Sequence, residues 1–236
     1  MSGSPALSIA RAIYRVIPFS VRDRLAHDRA RRARERRSAA GYRALQGRTG
    51  LLLDIGASGS HLDGWISLDL QPDERTLLLD ATEPWPFAGA SAAAIRSEHM
   101  IEHVSVAGAR RFLGEAFRAL EPGGLLRTCT PDLEGITAAY ASRSPELLAA
   151  HRASNYDAPS WAYFVNNYTY LYGHRFIYDL EALSALLVEA GFEQVERTAF
   201  GASRHALLAG TDSHDMGVLE SIVLCVDAVK PAAASR

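Results

Sequence analysis

The sequence predicts an α/β fold built on a mostly parallel sheet, and three observations carry that reading. Short apolar runs that fit buried strands stand at Leu51–Ile55, Trp65–Asp69, Thr76–Leu79 and Ala93–Ser97. An amphipathic helix from about Ser105 to Leu120 then leads into a further strand, Leu125–Cys129, and alternation of strands with helices implies parallel neighbours. The first strand runs into the small-residue turn Gly56, Ser58, Gly59, Ser60, and the second ends in an acid, Asp69.

Before the first strand lies a basic arm, residues 1–48, with 12 Arg against Asp23, Asp28 and Glu35; its charge is +9, which leaves −11 for the rest. Within it, Leu7–Phe19 has apolar positions at helical spacing, suited to packing on the domain itself or to lying on a membrane surface or a partner. The run Arg29–Arg37 has no interleaved aromatic residue and reads as a solvated helix face, so nucleic acid is not expected. After the Ser105–Leu120 helix, Glu121-Pro-Gly-Gly124 acts as the breaker, and Thr130-Pro131-Asp132 ends the next strand. Residues 133–178 read as helical or irregular. Asp179 then caps a strong helix that Gly191 stops. Two last strands, about Gln194–Phe200 and Ser221–Val229, suggest a terminal antiparallel pair, and residues 231–236 look frayed.

With 236 residues, 48% apolar residues and a net charge of −2, the chain can build a full core as one domain with added elements. Cys129 and Cys225 each fall in an apolar, strand-like run. This argues against a disulfide framework and for a reducing, cytoplasmic setting. No run is long enough for a membrane span.

Asp54 and Asp69 lie 15 residues apart, each at the end of an apolar run. A carboxylate in the position of Asp69 can accept hydrogen bonds from both hydroxyls of a ribose, so the pair reads as a nucleoside site. The turn GASGSHL lacks the G-x-G-x-x-G spacing that cradles a pyrophosphate, which makes a dinucleotide unsuitable.

Five stretches in order carry a resemblance: LLLDIGASGSHLDGWISLDL at 51–70, DATEPWPF at 80–87, SEHMIEHV at 97–104, RRFLGEAFRALEPGGLLRTCTPDLE at 110–134 and GHRFIYDLEALSALLVEAGF at 173–192. Over about residues 50–230 the chain resembles class I S-adenosylmethionine-dependent methyltransferases, within a bacterial group associated with polysaccharide synthesis. It is similar there to the sugar O-methyltransferases of methylmannose polysaccharide synthesis. The resemblance implies a Rossmann-like seven-stranded sheet with an antiparallel last strand in a domain at 49–230. It gives Asp54 and Gly56 to the methionine part of the cofactor and Asp69 to the ribose. Asp80 would face the adenine amino group, with Ala81 offering backbone contacts and Trp85 or Phe87 nearby. Ser97 to Met100 would pass beside the sulfonium. Where that family commonly has a second glycine stands Ser58, with Gly59 displaced by one position.

Methyl transfer to a sugar hydroxyl gains from a general base. The candidates are His174, His99 and Glu102, with His103 beside them. Tyr156–Tyr178 holds six of the nine tyrosines, together with Trp161, Phe164 and Phe176, and reads either as a substrate cap over about 133–178 or as a packed aromatic helix pair. Tyr170, Tyr172, Arg175 and Asp132 are the candidate acceptor contacts, with Asn166 and Asn167 able to bind hydroxyls; the other role open to Asp132 is a helix N-cap. His99-Met-Ile-Glu102-His103 also matches the H-x-x-E-H motif of zinc hydrolases, but it lies inside the longer resemblance, and no metal is expected. The expected partners are a sugar or oligosaccharide acceptor, a membrane surface or biosynthetic complex met through the arm, and a second copy of the chain in a homodimer. The alternatives are a methyltransferase of another phenolic or lipid metabolite and a noncatalytic docking module of the same fold.

Overall fold

The computed structural model of the chain describes residues 19–71, 73–153, 158–171, 173–212 and 217–232, with side chains from residue 32 onward. Residues 7–18 of the expected amphipathic helix, Tyr156, Tyr172 and the last four residues of the tail lie outside them. The chain forms two compact units, Met1–Ala44 and Leu45–Arg236. Helix α1, Phe19–Leu45, has 27 residues and is rich in Ala and Arg, both strong helix formers.

The second unit is built on a seven-stranded sheet of order β3-β2-β1-β4-β5-β7-β6. Its strands are β1 Leu51–Ile55, β2 Ile66–Asp69, β3 Leu77–Leu78, β4 Ala92–Glu98, β5 Leu120–Pro131, β6 Glu193–Thr198 and β7 Val223–Val229. Strands β1 to β5 pair in parallel, and β7 runs antiparallel to both β5 and β6. The expected terminal antiparallel pair is therefore present.

Two expectations need correction. Helices were expected to alternate with strands, but among the described residues β1 to β4 follow one another through loops. The reason lies in those connections: GASGSHLDG, the segment after Asp69 and DATEPWPFAGA are dense in Gly, Pro, Asp and Ser, which favour turns over helix. The second concerns Glu121-Pro-Gly-Gly124. Helix α2, Val106–Ala119, passes straight into β5 at Leu120, which pairs with Ala92; Leu125 then pairs with Ala94, so the four residues between form an irregularity inside the strand. Its backbone is held by Lys230, through Gly123 N–H to the Lys230 carbonyl and Lys230 N–H to the Gly124 carbonyl, both 2.9 Å.

Helix α2 forms because Ala109, Phe112, Leu113, Ala116 and Ala119 recur at helical spacing and are all fully buried. Ser105 starts it by accepting the Gly108 N–H at 3.2 Å. Trp85 and Phe87 also belong to this core. The Trp85 ring lies 6.0 Å from Phe112, and its indole N–H is spent on the Ala81 carbonyl at 3.1 Å.

Between β5 and helix α6 (Leu180–Glu189) come α3 Leu133–Ser142, α4 Pro145–Ala153, α5 Trp161–Asn166 and a π turn, Asn167–Leu171. Ile136, Ala139, Phe164, Tyr168, Leu219 and Ile222 form their core. Helix α3 lies so close to residues 221–222 that a methyl group on Gly135 would stand 2.6 Å from the Ser221 carbonyl oxygen.

Candidate active site

The carboxyl ends of the parallel strands bring most of the candidate residues to one edge of the sheet. That edge is where the crossovers leave room for a ligand. Asp54, at the end of β1, faces Arg96 across the β1–β4 ladder. Strand alternation puts Glu98 on the same face as Arg96, and the three side chains form a buried chain: Asp54 to Arg96 at 3.3 Å, and Arg96 to Glu98. Burial pushes the Asp54 carboxyl up to about 6, outweighing the pull of Arg96. Arg96 was not among the residues singled out from the sequence, although an arginine inside AAAIRSE is itself a signal, since a buried charge requires a partner.

After β1 the chain turns through Gly56 (φ +78), Ser58 (φ +45) and Gly59 (φ +82). At Gly56 a side chain is excluded twice, by its backbone conformation and because a Cβ there would lie 2.7 Å from Met100. Asp69, the last residue of β2, holds this turn: its carboxylate accepts the Ser58 N–H at 3.0 Å and the Gln71 N–H at 2.8 Å. Asp80 stands two residues beyond β3. One of its oxygens accepts both the Thr82 N–H (2.9 Å) and the Thr82 hydroxyl (2.7 Å); the other has no hydrogen bond among the described residues. Ser97 is fully buried, with its hydroxyl 3.4 Å from that of Thr128 on β5.

The second group gathers around Glu102. His99, directly after β4, stands in the left-handed region (φ +52), anchored by its N–H to the Cys129 carbonyl at 2.9 Å. Its Nδ1 lies 3.1 Å from the Glu102 carboxylate, which also accepts the Thr130 hydroxyl at 3.1 Å. His103 follows in the same short 3-10 turn, Ile101–His103. His174 comes from a distant segment docked on that turn, where the Glu102 carbonyl accepts the Arg175 N–H at 2.7 Å. The His174 Nδ1 bonds the Tyr168 carbonyl at 2.5 Å, and burial lowers the imidazole's pKa. Tyr178 is fully buried beside this group, its phenol pushed up to about 12, chiefly by burial and then by the Glu102 charge.

A family profile described as a methyltransferase domain matches residues 25–197. The chain belongs to the methyltransferase-domain family. It is a class I methyltransferase that uses S-adenosylmethionine, and its sheet is the Rossmann-like one expected. No curated protein matches it. Similar solved structures include an S-adenosylmethionine-dependent methyltransferase from Archaeoglobus fulgidus, 16% identical, with 84% of this chain and 94% of that one covered and a TM-score of 0.47. Another is the methyltransferase solved with the Haloferax volcanii Trm112 activator, 14% identical over 87% and 94%, TM-score 0.46. A third is Haemonchus contortus phosphoethanolamine N-methyltransferase 2 with S-adenosyl-L-methionine, 17% identical over 83% and 52%, TM-score 0.45.

Several acceptor contacts expected of this methyltransferase fall elsewhere. Asp132 is fully buried. It caps α3 through the Glu134 N–H at 3.0 Å and pairs with Arg197 at 2.5 Å. Asn167 is buried against His151, with 3.0 Å between Asn167 Nδ2 and His151 Nε2, and the Asn166 amide bonds back to the Ala162 carbonyl of its own helix at 2.8 Å. The aromatic residues divide. Phe164 and Tyr168 pack in the core beside His151, while Tyr163, Tyr170 and Phe176 are exposed, as is Arg175. Tyr172 lies outside the described residues.

Proposed function

We propose that this methyltransferase acts on a hydroxyl of a sugar or oligosaccharide, with His99 accepting the hydroxyl proton and Glu102 orienting His99. The convergence of His99 and His174 on the buried Glu102, at the ends of β4 and β5, is the observation that supports it most. A carboxylate only accepts, so its bond from His99 sets the proton on Nδ1 and the proton-accepting lone pair on Nε2. Thr130 steadies the carboxylate in turn, which is the base-and-orienter arrangement general-base catalysis uses. Holding a residue such as His99 in the left-handed region costs on the order of 1 kcal/mol, a strain that recurs where side chains are aimed at substrate.

The donor set suits a phosphate-free nucleoside cofactor. The turn after β1 presents no helix N-terminus for a phosphate, whereas Asp69 and Asp80 present carboxylate oxygens. In this reading Asp69 accepts from the ribose hydroxyls through its remaining lone pairs, Asp80 accepts from the adenine amino group and Ala81 offers its backbone. Gly56, Ser58, the buried Asp54 and the Ser97 backbone border the methionine part. When bound, the cofactor supplies a methyl carbon on a sulfonium: the acceptor oxygen forms the new C–O bond while the C–S pair goes to sulfur. The chain's share is to align the acceptor, take its proton and exclude water. Tyr170, Phe176 and Arg175 offer ring faces and a cation to the acceptor. His174 braces the cap against Glu102.

The reading extends to a role in polysaccharide synthesis on the cytoplasmic side. The basic arm, residues 1–48, then meets a membrane surface or biosynthetic complex, a second copy of the chain is a partner, and residues 133–178 form the acceptor cap of a domain at 49–230. His99→Ala should lower kcat by roughly a hundredfold or more while leaving S-adenosylhomocysteine binding nearly unchanged. An unaltered kcat would remove His99 from the role.

A further inference from the structure

Glu102, His103 and His174 each offer a ligand atom, and the three atoms lie within 4.8 Å of one another. We propose that they form a binding site for one divalent transition-metal cation such as Zn²⁺ or Co²⁺. Two imidazoles with one carboxylate are a donor set such cations favour.

The surroundings of the three side chains support the assignment. A carbonyl oxygen only accepts, so the bond to Tyr168 fixes the proton of His174 on Nδ1 and its lone pair on Nε2. Metal-bound histidines are typically held by such a bond from the other ring nitrogen. Glu102 is braced by Thr130 and His99, so its carboxylate is oriented before any cation arrives. The His103 and His174 rings stand edge to face with centroids 4.8 Å apart, which keeps both imidazoles at one point. The buried Tyr178 hydroxyl, which senses the Glu102 charge, has no hydrogen-bond partner among the described residues. An orphaned buried hydroxyl points to a water or ligand in its vicinity.

The assignment differs from the one the sequence motif suggests. H-x-x-E-H in an α-helix would use its two histidines as ligands, but here a 3-10 turn follows the strand and His99 is turned onto Glu102. His174, 75 residues beyond His99, takes its place. A second cluster, Cys129, Cys225 and Asp212, is less suited to a cation, because the Arg127 guanidinium, itself a cation, already pairs with Asp212 at 2.7 and 2.5 Å and neutralises its charge.

The site itself does not depend on the acceptor. Its consequence does rest on the proposed function: a cation there lies at the acceptor end and would polarise the acceptor hydroxyl.

The test uses the untagged full chain, stripped with a chelator and titrated with Co²⁺ under visible absorption and with Zn²⁺ by calorimetry. The expected result is one equivalent bound, with ligand-field bands, and an affinity lowered at least about a hundredfold in His103→Ala and in His174→Ala. His103→Gln serves where an alanine variant melts early, and His205→Ala should bind like the parent. Absence of stoichiometric binding, or binding that survives in both His103 and His174 variants, overturns the site. S-adenosylhomocysteine binding measured in the same samples reports the cofactor site separately, so failure of the metal site and failure of the methyltransferase reading are distinguishable.

Discussion

Asp54 is 1% exposed, and its carboxyl is pushed up to about 6 because burial outweighs the neighbouring Arg96. A raised carboxyl pKa means that the folded chain binds the proton more tightly than the unfolded one, so stability is lost as pH rises from about 4 through 6 and is level above that. A shift of this size corresponds to about 3 kcal/mol. Asp54→Asn has no such loss, so its melting temperature relative to the parent should climb between pH 4 and 6.5 and then stay constant. A difference independent of pH would contradict the shift. Arg127 makes the complementary case. It is fully buried and ties β5 to Asp212, Asp227, Thr198 and two carbonyls, so Arg127→Met should strand two buried carboxylates and cost about 3–5 kcal/mol in denaturant unfolding. At this scale the sequence was informative where a carboxylate ends an apolar strand, as at Asp69. It was silent where a partner comes from a neighbouring strand, because the register that sets Arg96 beside Asp54 is a tertiary fact.

Elements with strong periodicity were legible nearly to the residue. The helix expected at Ser105–Leu120 is Val106–Ala119 with Ser105 as its cap, and Asp179 caps Leu180–Glu189 through the Ala182 N–H at 2.8 Å. Ser105→Ala should therefore lower stability by about 1 kcal/mol in chemical denaturation. The segment 133–178 was legible only as an aromatic composition. Which rings turn inward depends on packing: Phe164 is fully buried, whereas Tyr170 remains 69% exposed. Gly135 is the tightest point of that packing. Gly135→Ala should force helix α3 away from the Ser221 carbonyl, cost about 1–3 kcal/mol by melting and lower activity through the cap rather than through cofactor affinity. A variant as stable as the parent would show that the helix does not pack so closely.

For the whole molecule, the terminal antiparallel pair was legible in the chain's own apolar runs, whereas the strand order was not, because it is set by pairing between distant segments; the family match covers residues 25–197. Met1–Ala44 forms a unit separate from Leu45–Arg236, and no described helix is long and apolar enough to cross a membrane. Cofactor use and acceptor class meet in a single assay: methyl-labelled S-adenosylmethionine with a panel of mono- and oligosaccharides, the products identified by mass spectrometry, with the parent beside Asp69→Ala. The account predicts a labelled methyl ether on a sugar with the parent and none with Asp69→Ala, whose S-adenosylhomocysteine affinity should fall by at least about tenfold with the loss of charge-assisted hydrogen bonds. Labelling confined to phenolic or lipid acceptors, or full activity in Asp69→Ala, would contradict it.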